Sequence, residues 1–295
     1  MPGSSDPSRS RDPVHEIRAW SLADLLLEWH RYAPGPAGTD VMHVHDTYQW
    51  CLSLDFPGEY RYRGARFPVP IGSLSVIHPG EVHASRDLAD RPRPTSFRIL
   101  YTAPRLIQAA AGSIFERPSE MPFFADPVIL DQKLAADFLA FHLATEAPVT
   151  QLEPDTRLLF LLAALLRHAG SGNGPPRRGH EPGAVNRVRD YLDSHYADNP
   201  SLADLARLVD RSPFHLARAF RAGIGLPPHA YLIGVRICRA KELLAGGWPV
   251  ARVAMATGFF DQSHLAHHFK RLVGVPPGRY ALRRKNVQDR RQRTP

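Results

Sequence analysis

The sequence predicts an α+β chain. A β-barrel stands in front, a helical connector follows, and the C-terminal portion is all-α, with two helix-turn-helix units joined by a long helix. Three observations predict this. Short aromatic and apolar runs, punctuated by Pro/Gly turns, fill residues 18–101, the texture of a barrel or sandwich. Two apolar stretches with helical spacing follow, closed by a Gly/Pro-rich segment. Then one pattern is written twice. SPFHLARAFRAGIGLPPHAY (Ser212 to Tyr231) and DQSHLAHHFKRLVGVPPGRY (Asp261 to Tyr280) fall in step at a shift of 49 positions. The expected divisions are a tail at 1–13, a sensing domain at 14–127, a helical connector at 128–170, a linker at 171–183, a DNA-binding domain at 184–285 and a basic tail at 286–295.

Charge divides along the same line. Residues 181–295 hold 19 basic and 9 acidic side chains, a net +10; the first 180 hold 18 and 20, a net −2. A basic domain carried by a near-neutral one suits a polyanion-binding module. Cys51 and Cys238 are too few for a disulfide framework and sit in apolar sequence, which suits a reducing cytoplasm. The opening MPGSSDPSRSRDP lacks the apolar core of a signal peptide. The longest strongly apolar run, Leu158 to Leu166, is too short for a bilayer. A cytoplasmic protein with no membrane partner is expected.

In the front portion, strands are expected at Tyr48 to Phe56, Glu59 to Gly64, Ser73 to His78 and Ser96 to Tyr101, with turns at Pro57-Gly58, Pro70-Ile71-Gly72 and Pro79-Gly80. In His43-Val44-His45, period-two alternation puts both rings on one face. His83 follows Pro79-Gly80-Glu81-Val82. This H-x-H with a later G…P-x-G-x-x-H resembles the cupin family, and the resemblance implies a small-molecule site in the barrel. His43, His45 and His83 are then candidate ligands for Zn or Fe. Gln49 occupies the position where a cupin metal site expects a carboxylate, which favours a pocket without metal or other cofactor. The candidate lining is His43, His45, Tyr48, Trp50, Arg61, Arg63, His78 and His83, with an anionic ligand implied if the arginines point inward.

Asp131 to Glu146 spaces Leu134, Phe138 and Phe141 as a helix. Pro154 to Gly170 forms a second, apolar around nearly its whole circumference. Such a helix is buried on more than one side, against the barrel, against a second copy in a homodimer, or both.

The C-terminal portion opens with an amphipathic helix from Ala184 to Tyr196. Ser201 caps a short helix to Val209, Asp210-Arg211 turns, and Ser212 with Pro213 starts the next helix, to about Ala222. A long helix, Pro228 to Ala245, carries the apolar stripe Tyr231, Leu232, Val235, Cys238, Leu243 and Leu244. The second unit starts at Pro249, turns at Thr257-Gly258-Phe259-Phe260, and Asp261 caps its second helix, to about Val273. Ala206 lies six residues before Ser212 but Ala254 lies seven before Asp261, so the second turn is one residue longer.

RICRAKELLAGG (Arg236 to Gly247), ATGFFDQSHLAHHFKRLVGVPPGRY (Ala256 to Tyr280) and SPFHLARAF resemble the DNA-binding domain of AraC/XylS-type transcription regulators. The resemblance spans Ala184 to Arg284. It implies a ligand-responsive regulator that is no enzyme, often an activator working as a dimer, with double-stranded DNA, a small-molecule effector and RNA polymerase as partners. Independently of it, a helix in the major groove reads bases with exposed residues near its start. These are Ser212, Pro213, Phe214, Ala217, Arg218 and Arg221 in the first unit, and Gln262, Ser263, Ala266, His267 and Lys270 in the second. Arg218 suits a bidentate guanine contact, Phe214 a thymine methyl and Gln262 an adenine. The two helices are expected in successive major grooves, on the order of 34 Å apart. The competing reading is a metal-dependent cupin enzyme with an appended DNA-binding domain.

Overall fold

The computed structural model describes residues 15–38, 42–115, 121–146, 152–169 and 182–280. The expected tails and nearly all of the expected linker lie outside these residues. Strands β1 (Glu16–Leu22), β2 (Leu25–Tyr32), β3 (Tyr48–Ser53), β4 (Gly58–Tyr62), β5 (Ala65–Val69), β6 (Leu74–Ile77), β7 (His83–Asp87), β8 (Thr95–Thr102) and β9 (Val128–Ile129) build the front portion. They form two antiparallel sheets, of order β1-β2-β8-β3-β6-β9 and β5-β4-β7. Among the described residues the two sheets form the β portion that the barrel expectation called for.

The large sheet is apolar on both faces, and this decides the architecture. One face, with Leu25, Leu27, Tyr48, Trp50, Leu52, Leu74, Val76 and Leu100, packs on helices α1 (Pro104–Phe115), α2 (Gln132–Glu146) and α3 (Leu152–Leu166) through Ile107, Phe138, Phe141, Leu161 and Leu165. Two polar ties pin that layer. Trp20 Nε1 donates to Thr145 Oγ1 at 3.0 Å, and Arg98 bonds His142 and pairs with Glu146. Helix α1 falls inside the span read from sequence as barrel alone; Pro104 at its start and the spacing of Ile107, Ala111 and Ile114 mark it. Helix α3 begins two residues before the expected Pro154. It buries Leu161, Leu162 and Leu165 but leaves Leu159 and Phe160 exposed, and α2 leaves Leu143 exposed.

The C-terminal portion contains α4 (Pro182–Ser194), α5 (Leu202–Leu208), α6 (Pro213–Ile224), the 18-residue α7 (Pro228–Ala245), α8 (Val250–Ala256) and α9 (Gln262–Val273). Ser201 closes a capping box with Asp204, Ser212 accepts from His215 N, and Asp261 accepts from His264 N. The two turns follow one plan with one difference. Arg211 N bonds Ala206 O and Phe259 N bonds Ala254 O, and the left-handed residue just before each is Asp210 or Gly258. After that point the second unit spends one more residue before its cap, as the sequence offset predicts. Gly258 is obligatory: its φ is +75°, and a Cβ there would lie 2.5 Å from Ala197 O.

Helix α7 is buried nearly all round, which the single apolar stripe expected from sequence does not anticipate. Tyr231 and Val235 join the core of the first unit. Ile233, Ile237, Ala240 and Leu244 join a core that runs from the second unit into the barrel through Ile17, Ala19, Leu26, Cys51, Ile99 and Tyr101. The two portions therefore share a core across the other face of the large sheet. Gly234 sets how closely α7 approaches the barrel: a Cβ there would stand 2.8 Å from Val44 Cγ1 and 3.2 Å from Val44 O. Gly234→Ala gains about 1 kcal/mol of helix propensity but overpacks the seam by about 1–3 kcal/mol. A net loss, read as a lower urea midpoint at unchanged m-value, is expected; a rise in the midpoint would contradict the close packing described.

Candidate functional site

A cavity of about 510 Å³ lies between the two sheets and the C-terminal portion. Strand β3 contributes Gln49, Cys51 and Ser53, strand β4 Tyr60, strand β8 Phe97, Ile99 and Tyr101. Helix α7 closes it with Gly234, Ile237, Cys238 and Lys241, and the end of α9 with Arg271, Leu272, Val273 and Gly274. Its volume fits a small-molecule site.

Of the eight lining candidates, two line the cavity, His43 and His45; His83 packs against both rings but is fully buried and outside the lining. The other six, His83 among them, are corrections. Tyr48 and Trp50 have the opposite parity on β3 and enter the core beneath α1–α3, where Tyr48 donates to Pro122 O and Trp50 Nε1 to Thr102 Oγ1. Arg61 is exposed and outside the wall. Arg63, at φ 52° in the turn after β4, pairs with Glu81 at 2.7 Å and bonds His78 Nδ1 at 2.9 Å. His78 Nε2 in turn accepts from Phe124 N, so both are tied down away from the cavity. No arginine of that pair points inward to favour an anion.

The imidazoles of His43, His45 and buried His83 form a cluster. Ring centroids are 4.1 Å apart for His43–His83, 4.8 Å for His45–His83 and 6.3 Å for His43–His45. His43 and His83 also exchange two backbone hydrogen bonds, at 2.9 and 3.0 Å. His45 Nδ1 donates to Thr47 O at 2.7 Å and His83 Nδ1 to Glu81 O at 3.1 Å. Burial is the main cause that pushes His45 down to about 3 and His83 well below the usual imidazole range, so both rings are neutral. Among the described residues no group of three or more His, Cys, Asp or Glu side chains is arranged to hold a metal ion.

Sequence reasoning missed the other half of the site. Glu28 of β2 is fully buried at the seam. Its Oε1 accepts from Lys241 Nζ at 2.9 Å and from the Tyr280 hydroxyl at 2.6 Å; its Oε2 accepts from His30 Nε2 at 2.9 Å. Burial opposes the charged form of Glu28, but Lys241 and the bonds from His30 and Tyr280 outweigh it and hold the carboxyl well below its usual range. Lys241 also donates to the Tyr101 hydroxyl at 2.8 Å. One barrel carboxylate thus ties the joining helix and the end of the second helix-turn-helix unit. The signal for it was an acidic residue inside the apolar run LLLEWHRY. Nearby, Arg239 pairs with Asp46 at 2.5 Å and Cys238 Sγ lies 3.6 Å from Val44 O.

These buried groups set an acid limit. His15, His45, His78 and His142 are each pushed down to about 3, chiefly by burial, and burial likewise holds His83 well below the usual imidazole range. Their neutral forms are fully stabilising above the ordinary imidazole pKa. As pH falls below about 6.5 the unfolded chain takes up protons that the folded chain excludes, at up to about 1.4 kcal/mol per pH unit and group. Protonation of Glu28 acts in the same direction at lower pH. The urea midpoint is expected to be level from pH 8 to 7 and to fall steeply from pH 6 to 4; a level profile down to pH 4 would contradict this.

The second candidate site is the pair of helices α6 and α9, on which the sequence places the expected base-reading residues. Ser212, Pro213, Phe214, Arg218 and Arg221 are exposed at and along the start of α6, with Ala217 half-buried; Gln262, Ser263, His267 and Lys270 are exposed on α9, with Ala266 half-buried. Leu216, Phe220, Leu265 and Phe269 are buried beneath them. Phe214 is 78% exposed, an apolar ring held in solvent at a helix start. Phe260 and Met255 are exposed in the second unit and were not singled out from sequence. Between the two units, Arg236 of α7 is buried and donates to Tyr196 O, Asp198 O and Asn199 Oδ1, which fastens the α4–α5 connection. At about 1.5 Å per residue α7 separates the units by about 27 Å along its axis.

Comparison with known proteins gives the same division. A family model of the AraC-like ligand-binding domain matches residues 29–162, and a helix-turn-helix domain matches residues 205–283. The chain is 30% identical over 226 residues to the HTH-type transcriptional regulator YbfI of Bacillus subtilis (strain 168), spanning 76% of this chain and 80% of that one. It is 35% identical over 244 residues to the arabinose operon regulatory protein of Escherichia coli (strain K12), spanning 78% of each. Among solved structures, ToxT from Vibrio cholerae O395 superposes with a TM-score of 0.61, covering 89% of this chain and 98% of that one at 10% identity, which is likeness of fold alone.

Proposed function

The chain belongs to the AraC-type family of transcription regulators, and we propose that it binds double-stranded DNA in sequence-specific fashion through α6 and α9 under control of a small molecule held in the interdomain cavity. The observation that carries this reading is the shared wall. Lys241 and Gly234, on the helix that joins the two DNA-reading units, line the same cavity as the barrel histidines. A ligand there touches the groups that fix where the two units sit, so it has differential contacts with different placements of α7. That is what control by an effector requires. In the V. cholerae relative of like fold, ToxT, an unsaturated fatty acid is the bound molecule.

The finer reading is an activator that recruits RNA polymerase and works as a homodimer in the cytoplasm. Among the described residues no helix is long and apolar enough to cross a membrane. The exposed Leu143, Leu159 and Phe160 support self-association, since they are large apolar side chains left in solvent on α2 and α3, the helices that pack on the face of the sheet away from the cavity. Phe160→Asp is expected to shift the chain towards monomer in sedimentation experiments without loss of helix content; an unchanged sedimentation coefficient would remove α3 from the interface. An enzymatic role is the weaker reading, because the relatives named above are regulators over most of the length they share with this chain.

The function is tested with a duplex selected from a random library by the full chain. Affinity is expected to fall steeply with salt, because Lys and Arg displace counterions, and to exceed affinity for scrambled duplex by about 10³-fold or more. Equal affinity for selected and scrambled duplexes would overturn the reading.

A further inference from the structure

Helices α6 and α9 end in the same way and on the same body. Each is 12 residues long, starts on a side-chain cap at Ser212 or Asp261, and finishes on a left-handed glycine, Gly225 at φ 92° or Gly274 at φ 88°. The two glycines are equivalent in the 49-residue repeat. Each also touches the barrel. A Cβ on Gly225 would stand 3.7 Å from Val82 Cβ, and one on Gly274 would stand 2.7 Å from His15 Nδ1. The starts of both helices are exposed, while their far ends rest on two separate points of one barrel.

Both seats are held from behind. Val82 packs on the core of the first unit, in which Val44 of the barrel is also buried. The Val82 loop is fixed to the segment around Val44 by backbone hydrogen bonds: His43 N to His83 O at 2.9 Å, His83 N to His43 O at 3.0 Å and Gly80 N to His45 O at 2.7 Å. The His15 ring stacks on Tyr32 with centroids 3.9 Å apart. It also shares a hydrogen bond of 3.1 Å with His30, which is bonded in turn to Glu28. Helix α7 packs on both units as well, and Arg236 and Gly258 tie the units to the α4–α5 connection. A link through one helix leaves rotation about that helix to be fixed by contacts elsewhere. Rotation matters on DNA, where each base pair adds about 3.4 Å and a tenth of a turn.

We propose that Val82 and His15 are positioning residues that fix the spacing between the two DNA sub-sites read by α6 and α9. This rests on the reading of those helices as the DNA-contacting elements, and it assigns the length of the DNA site to residues of the barrel. Two grips of equal length, seated at equivalent glycines on one body, engage a duplex together only at the distance and rotation that the seats allow.

The test uses the full chain and the duplex selected by it, with one base pair inserted or removed between the two sub-sites. The unaltered chain is expected to lose at least about tenfold in affinity on either change, because two fixed grips then cannot both engage. In the double variant Val82→Ser, His15→Ser the same changes are expected to cost less than about threefold. A merely structural role would weaken every duplex alike and leave these ratios unmoved. A second readout needs no DNA. Spin labels on Phe214→Cys and Gln262→Cys, in a chain carrying Cys51→Ala and Cys238→Ala, report the distance between the starts of α6 and α9. That distance distribution is expected to be narrow with the seats intact and to broaden in the double variant. Should the double variant not fold, Val82→Ala decides alone: it removes two methyl groups and is expected to reduce the insertion penalty. Equal penalties in the unaltered chain and the variants, an equally narrow distribution, or an unaltered chain indifferent to spacing would each overturn the proposal. If the unaltered chain still prefers selected to scrambled duplex in that case, the regulator reading stands. Equal affinity of the unaltered chain for both duplexes refutes the regulator reading, and the proposal with it.

Discussion

Glu28→Ala is expected to lower the stability of the full chain by about 3–5 kcal/mol, because it leaves the Lys241 ammonium buried without its counter-charge. Lys241 is 8% exposed and Glu28 is 0% exposed, so little water reaches either group. The substitution also removes the acceptor for the Tyr280 hydroxyl and for His30 Nε2. Replacing both charges, as in Glu28→Gln with Lys241→Met, removes the isolated-charge penalty, and most of the stability is expected to return. Urea unfolding of the two single variants and the pair measures this directly. Additive losses would mean that the ion pair is not the unit that holds the seam.

Arg218→Ala is expected to cost about 1–3 kcal/mol of binding at one base position of the selected duplex and to relax preference there. Its side chain is exposed near the start of α6, above Leu216 and Phe220, so folding stability should stay within about 0.5 kcal/mol. Lys270→Ala on α9 supplies the contrast. Taking an ammonium away from a phosphate there weakens all duplexes alike and reduces the salt slope by about one. Equal effects of Arg218→Ala on every sequence would reassign that arginine to the backbone.

The DNA-reading half was nearly complete in the sequence, down to the extra residue of the second turn. Its elements are short-range: caps at Ser201, Ser212 and Asp261, left-handed turn residues, and stripes of period 3.6 that bury Leu216, Phe220, Leu265 and Phe269. The cavity was half legible. The H-x-H spacing placed His43 and His45 together, and the loop spacing brought His83 to them. The parity of β3 was not legible, because all six of its residues are buried and alternation carries no sign of which face meets the cavity. The Glu28–Lys241 pair was not legible either. A lysine in a helix reads as surface until a second body covers it. Mid-helix Gly234, costly to helix formation by about 1 kcal/mol, was the local hint that something approaches α7 closely. The duplicated tyrosines diverge for the same reason: Tyr231 donates to Asp193 within its own unit, whereas Tyr280 reaches the barrel carboxylate.

The central claim is that the barrel governs DNA binding through the seam around α7. Neither Glu28 nor Lys241 belongs to the DNA-reading face, so the affinity of the Glu28→Gln, Lys241→Met pair variant for the selected duplex is the most direct measurement. A change of about 5–150-fold relative to the unaltered chain, the size of an ordinary coupling free energy, is the result expected. Identical affinity in a variant that folds would contradict control through this seam.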